Sequence, residues 1–256
     1  MFSLRNRTIL VTGASAGIGE ACATLFAEAG ARLILAARRA EKLTALAASL
    51  NKTYETDILP LELDVRSQEA VESAISSLPQ EWREIDALIN NAGLSRGLAP
   101  LQRGEITDWE EMIDTNVKGL LYVSRAVLPG MVERGKGDVV NIGSIAGREV
   151  YPGGNVYCAS KHAVRALTKG MQIDLNGTGV RVSSVDPGMV ETEFSIVRFH
   201  GNIEKADTVY KGMTPLTGQD IAETVLFCIT RPAHVNVHEI LVMPTDQASA
   251  TIVHRD

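Results

Sequence analysis

The sequence alternates between short apolar runs of strand length and longer segments with helical periodicity. The apolar runs are nearly continuous, which is typical of parallel strands covered by helices on both faces. They predict seven strands, at 7–13, 31–38, 58–65, 85–93, 137–144, 179–188 and 237–243. No linker or internal repeat divides the 256 residues. The pattern therefore predicts one α/β domain over 1–256, built on a doubly wound parallel sheet of about seven strands.

Composition narrows the class of partner. The formal net charge is −6 and no block of like charges occurs, which argues against a nucleic-acid surface. No apolar run approaches the ~20 residues of a membrane span, and the start lacks the features of a signal peptide. Cys22, Cys158, Cys228 and the five histidines show no metal-ligand spacing. We expect a cytoplasmic, metal-free protein that binds a small molecule and neither nucleic acid nor membrane.

A glycine-rich stretch, "TGASAGIGE", follows the first predicted strand. Glycines let a backbone turn tightly against a diphosphate, and the following helix presents free N–H groups and the positive end of its dipole. The spacing differs from the commoner dinucleotide fingerprint, and a plain strand-to-helix turn is the alternative. Its position in a wound sheet favours a dinucleotide site that comprises Gly13, Ser15, Ala16, Gly17, Ile18 and Gly19.

The end of the second predicted strand, "LAARRAE", indicates which dinucleotide binds. An NAD site usually has an acidic residue here for the ribose 2′-hydroxyl, but this chain has Ala37. Arg38 and Arg39 follow, and guanidinium groups suit a 2′-phosphate through charge-assisted hydrogen bonds. The alternative is a basic helix start, which would oppose the helix dipole. The stretch therefore predicts NADP.

The stretch "VYCASK" places Tyr157 and Lys161 one helical turn apart. Taken alone, such a pair most often lies on a solvated helix face. In this chain the other unusual residues follow predicted strands, at the sheet edge where ligands bind in wound α/β folds. The pair is therefore a candidate for chemistry.

Six motifs occur in a fixed order: "TGASAGIG", "LDV" at 63–65, "NNAG" at 90–93, Asn116, "NIGS" at 141–144 and "YCASK". Together they resemble the short-chain dehydrogenase/reductase superfamily along essentially the whole chain. The resemblance implies a Rossmann-type fold and, in most members, a homotetramer. It also implies a catalytic set of Asn116, Ser144, Tyr157 and Lys161.

The resemblance assigns a role to each catalytic residue. Tyr157 exchanges a proton with the substrate oxygen, and Lys161 lowers its pKa from ~10 by about three units while holding the nicotinamide ribose. Ser144 hydrogen-bonds the substrate oxygen. Asn116, inside a long predicted helix, supports a water-mediated proton path to Lys161.

Further residues are expected to contact the dinucleotide. Asp64 and Val65 would flank the adenine, although Asp64 could instead cap a helix beginning near Ser67. The rest of the cofactor set consists of Asn91, Ala92, Gly93, Tyr157, Lys161, Pro187, Gly188, Val190 and Thr192.

Longer stretches, among them "DTNVKGLLYVSRAVLPGMVERG" and "EFSIVRFHGN", resemble the NADP-dependent 3-hydroxy acid dehydrogenases. That resemblance implies hydride transfer between NADP(H) and a short 3-hydroxy acid such as serine, L-allo-threonine or 3-hydroxypropionate, the last paired with malonic semialdehyde. A reductase of another carbonyl, such as a 3-oxoacyl thioester, sugar or ketone, remains an alternative. A non-enzymatic NADP sensor is a more distant one.

The segment 188–217 is expected to form a lid over the substrate. Besides Ser144 and Tyr157, the substrate would meet Arg198, whose guanidinium suits a carboxylate. Arg148 is the second candidate for that contact. The alternative is that Arg198 lies on a solvated lid surface.

Overall fold

The computed structural model describes residues 3–256, so Met1 and Phe2 lie outside the described part. Within it, seven strands form one parallel sheet in the order β3-β2-β1-β4-β5-β6-β7. The strands are β1 Thr8–Thr12, β2 Arg32–Ala37, β3 Ile58–Glu62, β4 Ala87–Asn90, β5 Gly137–Ile142, β6 Val180–Pro187 and β7 Glu239–Val242. The predicted fold class and all seven predicted strands are confirmed.

Helices cover both faces of the sheet. They are α1 Gly17–Glu28, α2 Ala40–Tyr54, α3 Gln68–Ser76, α4 Ile106–Ile113, α5 Leu120–Glu133, α6 Asn155–Asp174, α7 Phe194–Arg198, α8 Ile203–Asp207 and α9 Gly218–Ile229. One face packs against α1, α2 and α9, and the other packs against α3, α5 and α6. Between residues 3 and 256 no helix combines the length and the apolar character needed to cross a bilayer.

Alternating strand residues supply the two cores. In β1, Ile9 and Val11 pack with Phe26 of α1, whereas Leu10 packs on the opposite face with Val123 of α5. Successive side chains of a strand point to opposite faces, so a strand buried on both faces must be apolar throughout. This is why the strands appear as continuous apolar runs in the sequence.

The long helix predicted from residue 108 onward is interrupted. Asp114–Gly119 forms a π-helical segment between α4 and α5. A π-turn changes the helical phase locally, and such turns are frequent at functional sites. Here the segment carries the buried Asn116, whose side chain bonds a neighbouring loop instead of facing solvent.

The sheet order reverses between β1 and β4, which are neighbours although β2 and β3 separate them in the chain. A crevice opens at such a switch point because the connections from the two strands leave in opposite directions. After β6, the segment 188–217 passes over this edge and contains only the short helices α7 and α8.

Candidate active site

A cleft of about 370 Å³ lies at the carboxyl ends of the strands. Nearly all the predicted cofactor residues line it, although they come from six separate parts of the chain. They are Gly13, Ser15, Ala16, Gly17, Ile18, Arg38, Arg39, Asp64, Val65, Asn91, Ala92, Gly93, Tyr157, Lys161, Pro187, Gly188, Val190 and Thr192. Gly19 is the one member of the predicted set that is not in the lining.

The glycine loop has the conformation that an anion site requires. Gly13 and Gly17 have φ of +65° and +60°, a region that side chains disfavour. A Cβ atom on Gly19 would lie 2.4 Å from the Gly13 carbonyl oxygen, so this glycine allows α1 to pack closely on the loop. No side chain caps α1 at Ala16. Its first N–H groups are therefore available to a phosphate.

The two arginines after β2 flank the same loop. Arg39 donates from Nε to Ser15 Oγ at 3.0 Å and from Nη1 to Glu193 Oε2 at 2.8 Å. Arg38 lies 3.5 Å from Glu111 and is half-exposed. Ala37 ends β2 with no carboxylate that could bind a ribose 2′-hydroxyl. These residues suit a ribose that carries a 2′-phosphate better than an unphosphorylated ribose.

Asp64 does not cap the helix that follows it. Its carboxylate accepts hydrogen bonds from the Arg66 guanidinium at 2.6 to 3.0 Å, and this contact holds the pKa of Asp64 below its usual value. Ser67 Oγ caps α3 instead, by accepting from the backbone N–H of Ala70 at 3.2 Å. Asp64 therefore stays available at the cleft wall.

Tyr157 lies on the buried face of α6, beside Ser144 at the end of β5. Burial raises the pKa of Tyr157, and the Arg198 guanidinium and a hydrogen bond with Ser144 oppose that rise. Ser144 Oγ also accepts from the N–H of Ala146 at 3.1 Å, which orients the hydroxyl. Phe194 of α7 contacts the tyrosine ring edge-on, with centroids 5.6 Å apart.

Lys161 is one turn further along α6 and only 7% exposed. Its ammonium donates to the carbonyl oxygen of Ile142 at 2.8 Å. Burial lowers the pKa of Lys161 to about 8, against the opposing effect of the Asp186 carboxylate. Arg198 is a cation that lowers the pKa of Tyr157, a contribution that the sequence did not reveal.

Asn116 lies behind the cleft and does not line it. Its side-chain amide pairs with both backbone groups of Leu94 at 2.8 Å and donates to Ser160 Oγ at 3.0 Å. These bonds anchor the loop after β4 to α6. The proton path through Asn116 stays a prediction.

The structure distinguishes the two candidate arginines. Arg198 stands beside Tyr157, with Cζ 5.4 Å from the tyrosine ring centroid and 5.0 Å from that of Phe194, and its Nη2 donates to the Tyr151 hydroxyl at 3.0 Å. Its buried Nε has no hydrogen-bond partner among residues 3–256. Neither arginine is among the lining residues of the cleft, but Arg148 is paired with Asp186 and Glu239.

Several lining residues were not predicted from the sequence: Leu94, Arg96, Ile142, Glu193, Phe194 and Val197. Most of them adjoin predicted residues at strand ends, which is the only sequence signal that could have found them. Arg96 donates to Glu111 at 2.7 Å and to the carbonyl oxygen of Val197 at 2.6 Å, and so links the loop after β4 to the segment 188–217. Neither partner is near Arg96 in the chain.

Comparisons with known proteins agree with this geometry. The family model described as short chain dehydrogenase matches residues 7–202. The chain is 50% identical over 249 residues to the NADP-dependent 3-hydroxy acid dehydrogenase YdfG of Salmonella typhi, covering 96% of this chain and 99% of that protein. It is 48% identical over 250 residues to sulfoacetaldehyde reductase 2 of Chromohalobacter salexigens, covering 97% and 98%.

Among solved structures, the closed form of serine dehydrogenase complexed with NADP+ superimposes with a TM-score of 0.91 at 47% identity, covering 97% of this chain and 100% of that one. The match therefore extends over the sheet, the cleft and the segment 188–217. The chain belongs to the short-chain dehydrogenase/reductase family.

Proposed function

We propose that this protein is an NADP-dependent dehydrogenase that transfers hydride between NADP(H) and a short 3-hydroxy acid. The observation that carries the proposal is the position of Arg198. Its guanidinium stands beside Tyr157 with one buried N–H unpaired, next to the cleft that fits NADP. The similarity to a named 3-hydroxy acid dehydrogenase and to serine dehydrogenase supports the same reaction.

Tyr157 would take the proton from the substrate hydroxyl during oxidation and return it during reduction. Ser144 would hydrogen-bond the same oxygen as negative charge develops on it. Because burial raises the pKa of Tyr157 in the dinucleotide-free chain, the phenolate must form against that burial. Bound NADP supplies the hydride acceptor and brings a positive ring charge that favours the phenolate.

Lys161 would hold the nicotinamide ribose and favour the phenolate with its charge. Asn116 would keep the loop after β4 in place and support a proton path behind the site. Phe194 and Leu94 would exclude water from the reacting atoms, since both line the cleft and Phe194 contacts the Tyr157 ring. A drier site strengthens each of these electrostatic effects.

Arg198 would bind the acid group of the substrate. Tyr151 accepts a hydrogen bond from one nitrogen of the guanidinium, and the remaining N–H groups would donate to the carboxylate. This contact would orient the hydroxyl-bearing carbon toward Tyr157 and Ser144. Arg148 is not proposed for this role, because two carboxylates already occupy its guanidinium.

A sulfonated substrate is a second candidate, supported by the similarity to sulfoacetaldehyde reductase 2. A sulfonate carries the same charge as a carboxylate and offers oxygen acceptors to the same guanidinium. The residues around Arg198 therefore support an anionic substrate in general.

The test of the proposal follows nicotinamide absorbance with NADP and a panel of alcohols. The panel contains serine, 3-hydroxypropionate, 2-hydroxyethanesulfonate and neutral alcohols of similar size. We expect turnover of the acids, and a loss of nearly all turnover with unchanged NADP binding in Tyr157→Phe, because only the proton-transfer group is removed. Faster turnover of neutral alcohols or sugars than of every acid would refute the proposed substrate class.

The role of Arg198 is tested with Arg198→Gln and with Tyr151→Phe as the matched variant. Arg198→Gln should raise KM for the acids by about 10- to 100-fold, the value of a charge-assisted hydrogen bond, and should change a neutral alcohol little. Tyr151→Phe keeps the guanidinium and should have a smaller effect of the same kind. Equal losses on acids and neutral alcohols would instead assign Arg198 to holding the lid.

The remaining expectations are part of the same proposal. The chain would act as one NADP-binding domain with the lid at about 188–217, as a homotetramer, and in the cytoplasm. The short helices α7 and α8 and the contact of Arg96 with Val197 support a lid that rests on the catalytic cleft.

A further inference from the structure

Asp186 is a buried carboxylate that is not part of the proposed catalytic set but packs against the backbone next to Ser144. Asp186, near the end of β6, is 1% exposed and does not line the cleft. Ser184 Oγ donates to its Oδ1 at 2.5 Å. Arg148 donates from Nε to its Oδ2 at 2.8 Å, and Nη2 of the same guanidinium lies 2.6 Å from that oxygen. Both oxygens of this buried carboxylate therefore have a hydrogen-bond donor.

Asp186 contacts the backbone segment that separates it from Lys161. A Cβ atom on Gly143 would lie 2.0 Å from Asp186 Oδ1, so only glycine permits this approach. The Gly143 N–H also donates to the carbonyl of Val185 at 2.8 Å. On the opposite side, the Lys161 ammonium donates to the carbonyl of Ile142. The segment 142–144, which ends in Ser144, is therefore held between the acid and the lysine.

The arginine that pairs with Asp186 is shared with a second carboxylate. Arg148 Nη2 also lies 2.7 Å from Glu239 Oε2, so one guanidinium serves two carboxylates. Arg165 contacts Glu239 at 3.3 Å on the exposed side. The two carboxylates are thus matched by two guanidiniums, and of the two it is Asp186 that raises the pKa of Lys161 against the effect of burial.

We propose that Asp186 is a positioning residue that keeps the buried Lys161 ammonium protonated and holds the Ile142–Ser144 backbone in place for proton transfer at Tyr157. The proposal rests on the proposed function. It assigns to Arg148 the task of fixing the Asp186 carboxylate. The titratable groups around Lys161 are then Asp186 behind it and Tyr157 on its own helix, with Arg198 standing over the tyrosine ring.

The arrangement has a consequence for the pH dependence of oxidation. Activity should rise with pH as Tyr157 loses its proton and fall as Lys161 loses its own. Burial has lowered the pKa of Lys161 to about 8, and Asp186 opposes a further fall. A negative charge favours the protonated form of every nearby group, so its removal moves both limbs of the profile to lower pH.

The test compares Asp186→Asn with Glu239→Gln. Each substitution replaces one of the two carboxylates that pair with Arg148 by a neutral amide. Glu239, however, is 28% exposed, whereas Asp186 is buried. Asp186→Asn should move the alkaline limb of kcat/KM down by about one pH unit, and Asp186→Glu should restore it partly. Glu239→Gln should leave both limbs within a few tenths of a unit. Equal shifts in the two variants, or a loss in Asp186→Asn that is the same at every pH, would overturn the proposal.

A measurement that does not depend on turnover tests the role of Asp186 independently of the proposed function. The free energy of unfolding is measured as a function of pH for the wild type and for Asp186→Asn, each with and without the further substitution Lys161→Met. In each pair the difference gives the contribution of Lys161. In Asp186→Asn, the contribution of Lys161 should start to rise with pH at a lower pH than in the wild type. An unchanged onset would refute the role of Asp186 even if the enzyme oxidised no hydroxy acid.

Discussion

Replacing Lys161 by Met should make the dinucleotide-free protein more stable near neutral pH. Lys161 is buried, and its pKa falls from the ordinary 10.5 to about 8. That fall corresponds to about 3 kcal/mol of unfavourable burial of the charged form. Methionine has a similar length and carries no charge to desolvate.

The substitution also removes a hydrogen bond. Without the ammonium, the carbonyl of Ile142 loses its donor, at a cost of about 1 kcal/mol. We therefore expect Lys161→Met to be about 2 kcal/mol more stable than the wild type at pH 7. On the proposed function, Lys161 would serve catalysis at a cost in stability.

The pH dependence gives the sharper test. Between pH 8 and 10.5 the unfolded chain holds the Lys161 proton more tightly than the folded chain, so the contribution of this group to wild-type stability rises with pH. The advantage of Lys161→Met should therefore shrink through this window and vanish by about pH 10. Below pH 8 it should be constant.

Urea unfolding of both proteins at pH 7 and pH 10, followed by tryptophan fluorescence at one protein concentration, measures the two differences. A single concentration is needed because oligomerisation contributes to apparent stability. Parallel stability curves at all pH values, or a variant less stable at pH 7, would show that Lys161 is not a desolvated charge in the folded protein.

Three further predictions follow from the cleft and the chain. Arg38→Ala and Arg39→Ala should each weaken NADP binding by about 10- to 100-fold and leave NAD binding nearly unchanged. Titration of each variant with both cofactors measures the two affinities, and equal losses of affinity for NADP and NAD would contradict a 2′-phosphate contact. Gly19→Ala should impair folding and NADP binding because its Cβ would lie 2.4 Å from a backbone oxygen, whereas Gly170→Ala, with nothing within 4 Å, should raise the melting temperature slightly. Light scattering at micromolar concentration should give the mass of a tetramer, and a monomer mass would refute that expectation.

Local patterns in the sequence predicted most of the fold and much of the cleft. Seven apolar runs mark strands buried on both faces, and the alternation of strand and helix admits few sheet topologies. The glycine loop, the arginines after β2 and the pair Tyr157 and Lys161 lie within contiguous stretches. Residues so close in the chain keep their relation once the local element forms, which is why these features could be predicted.

The choice between Arg198 and Arg148 could not be predicted from the sequence. Both follow a predicted strand and both carry the same guanidinium. What separates them is the partner that packing supplies, Tyr151 for one and the buried Asp186 for the other. These partners lie 47 and 38 residues away in the chain.

The environment of each functional side chain was likewise decided only by the tertiary structure. The sequence determined that Lys161 lies one turn from Tyr157, but not that its ammonium bonds Ile142 or that Asp186 lies behind it. Asn116 looked like a helix residue and instead holds Leu94 through a π-helical turn. Periodicity encodes which face of an element is buried, whereas hydrogen-bond partners, burial and pKa depend on elements that meet only when the chain folds.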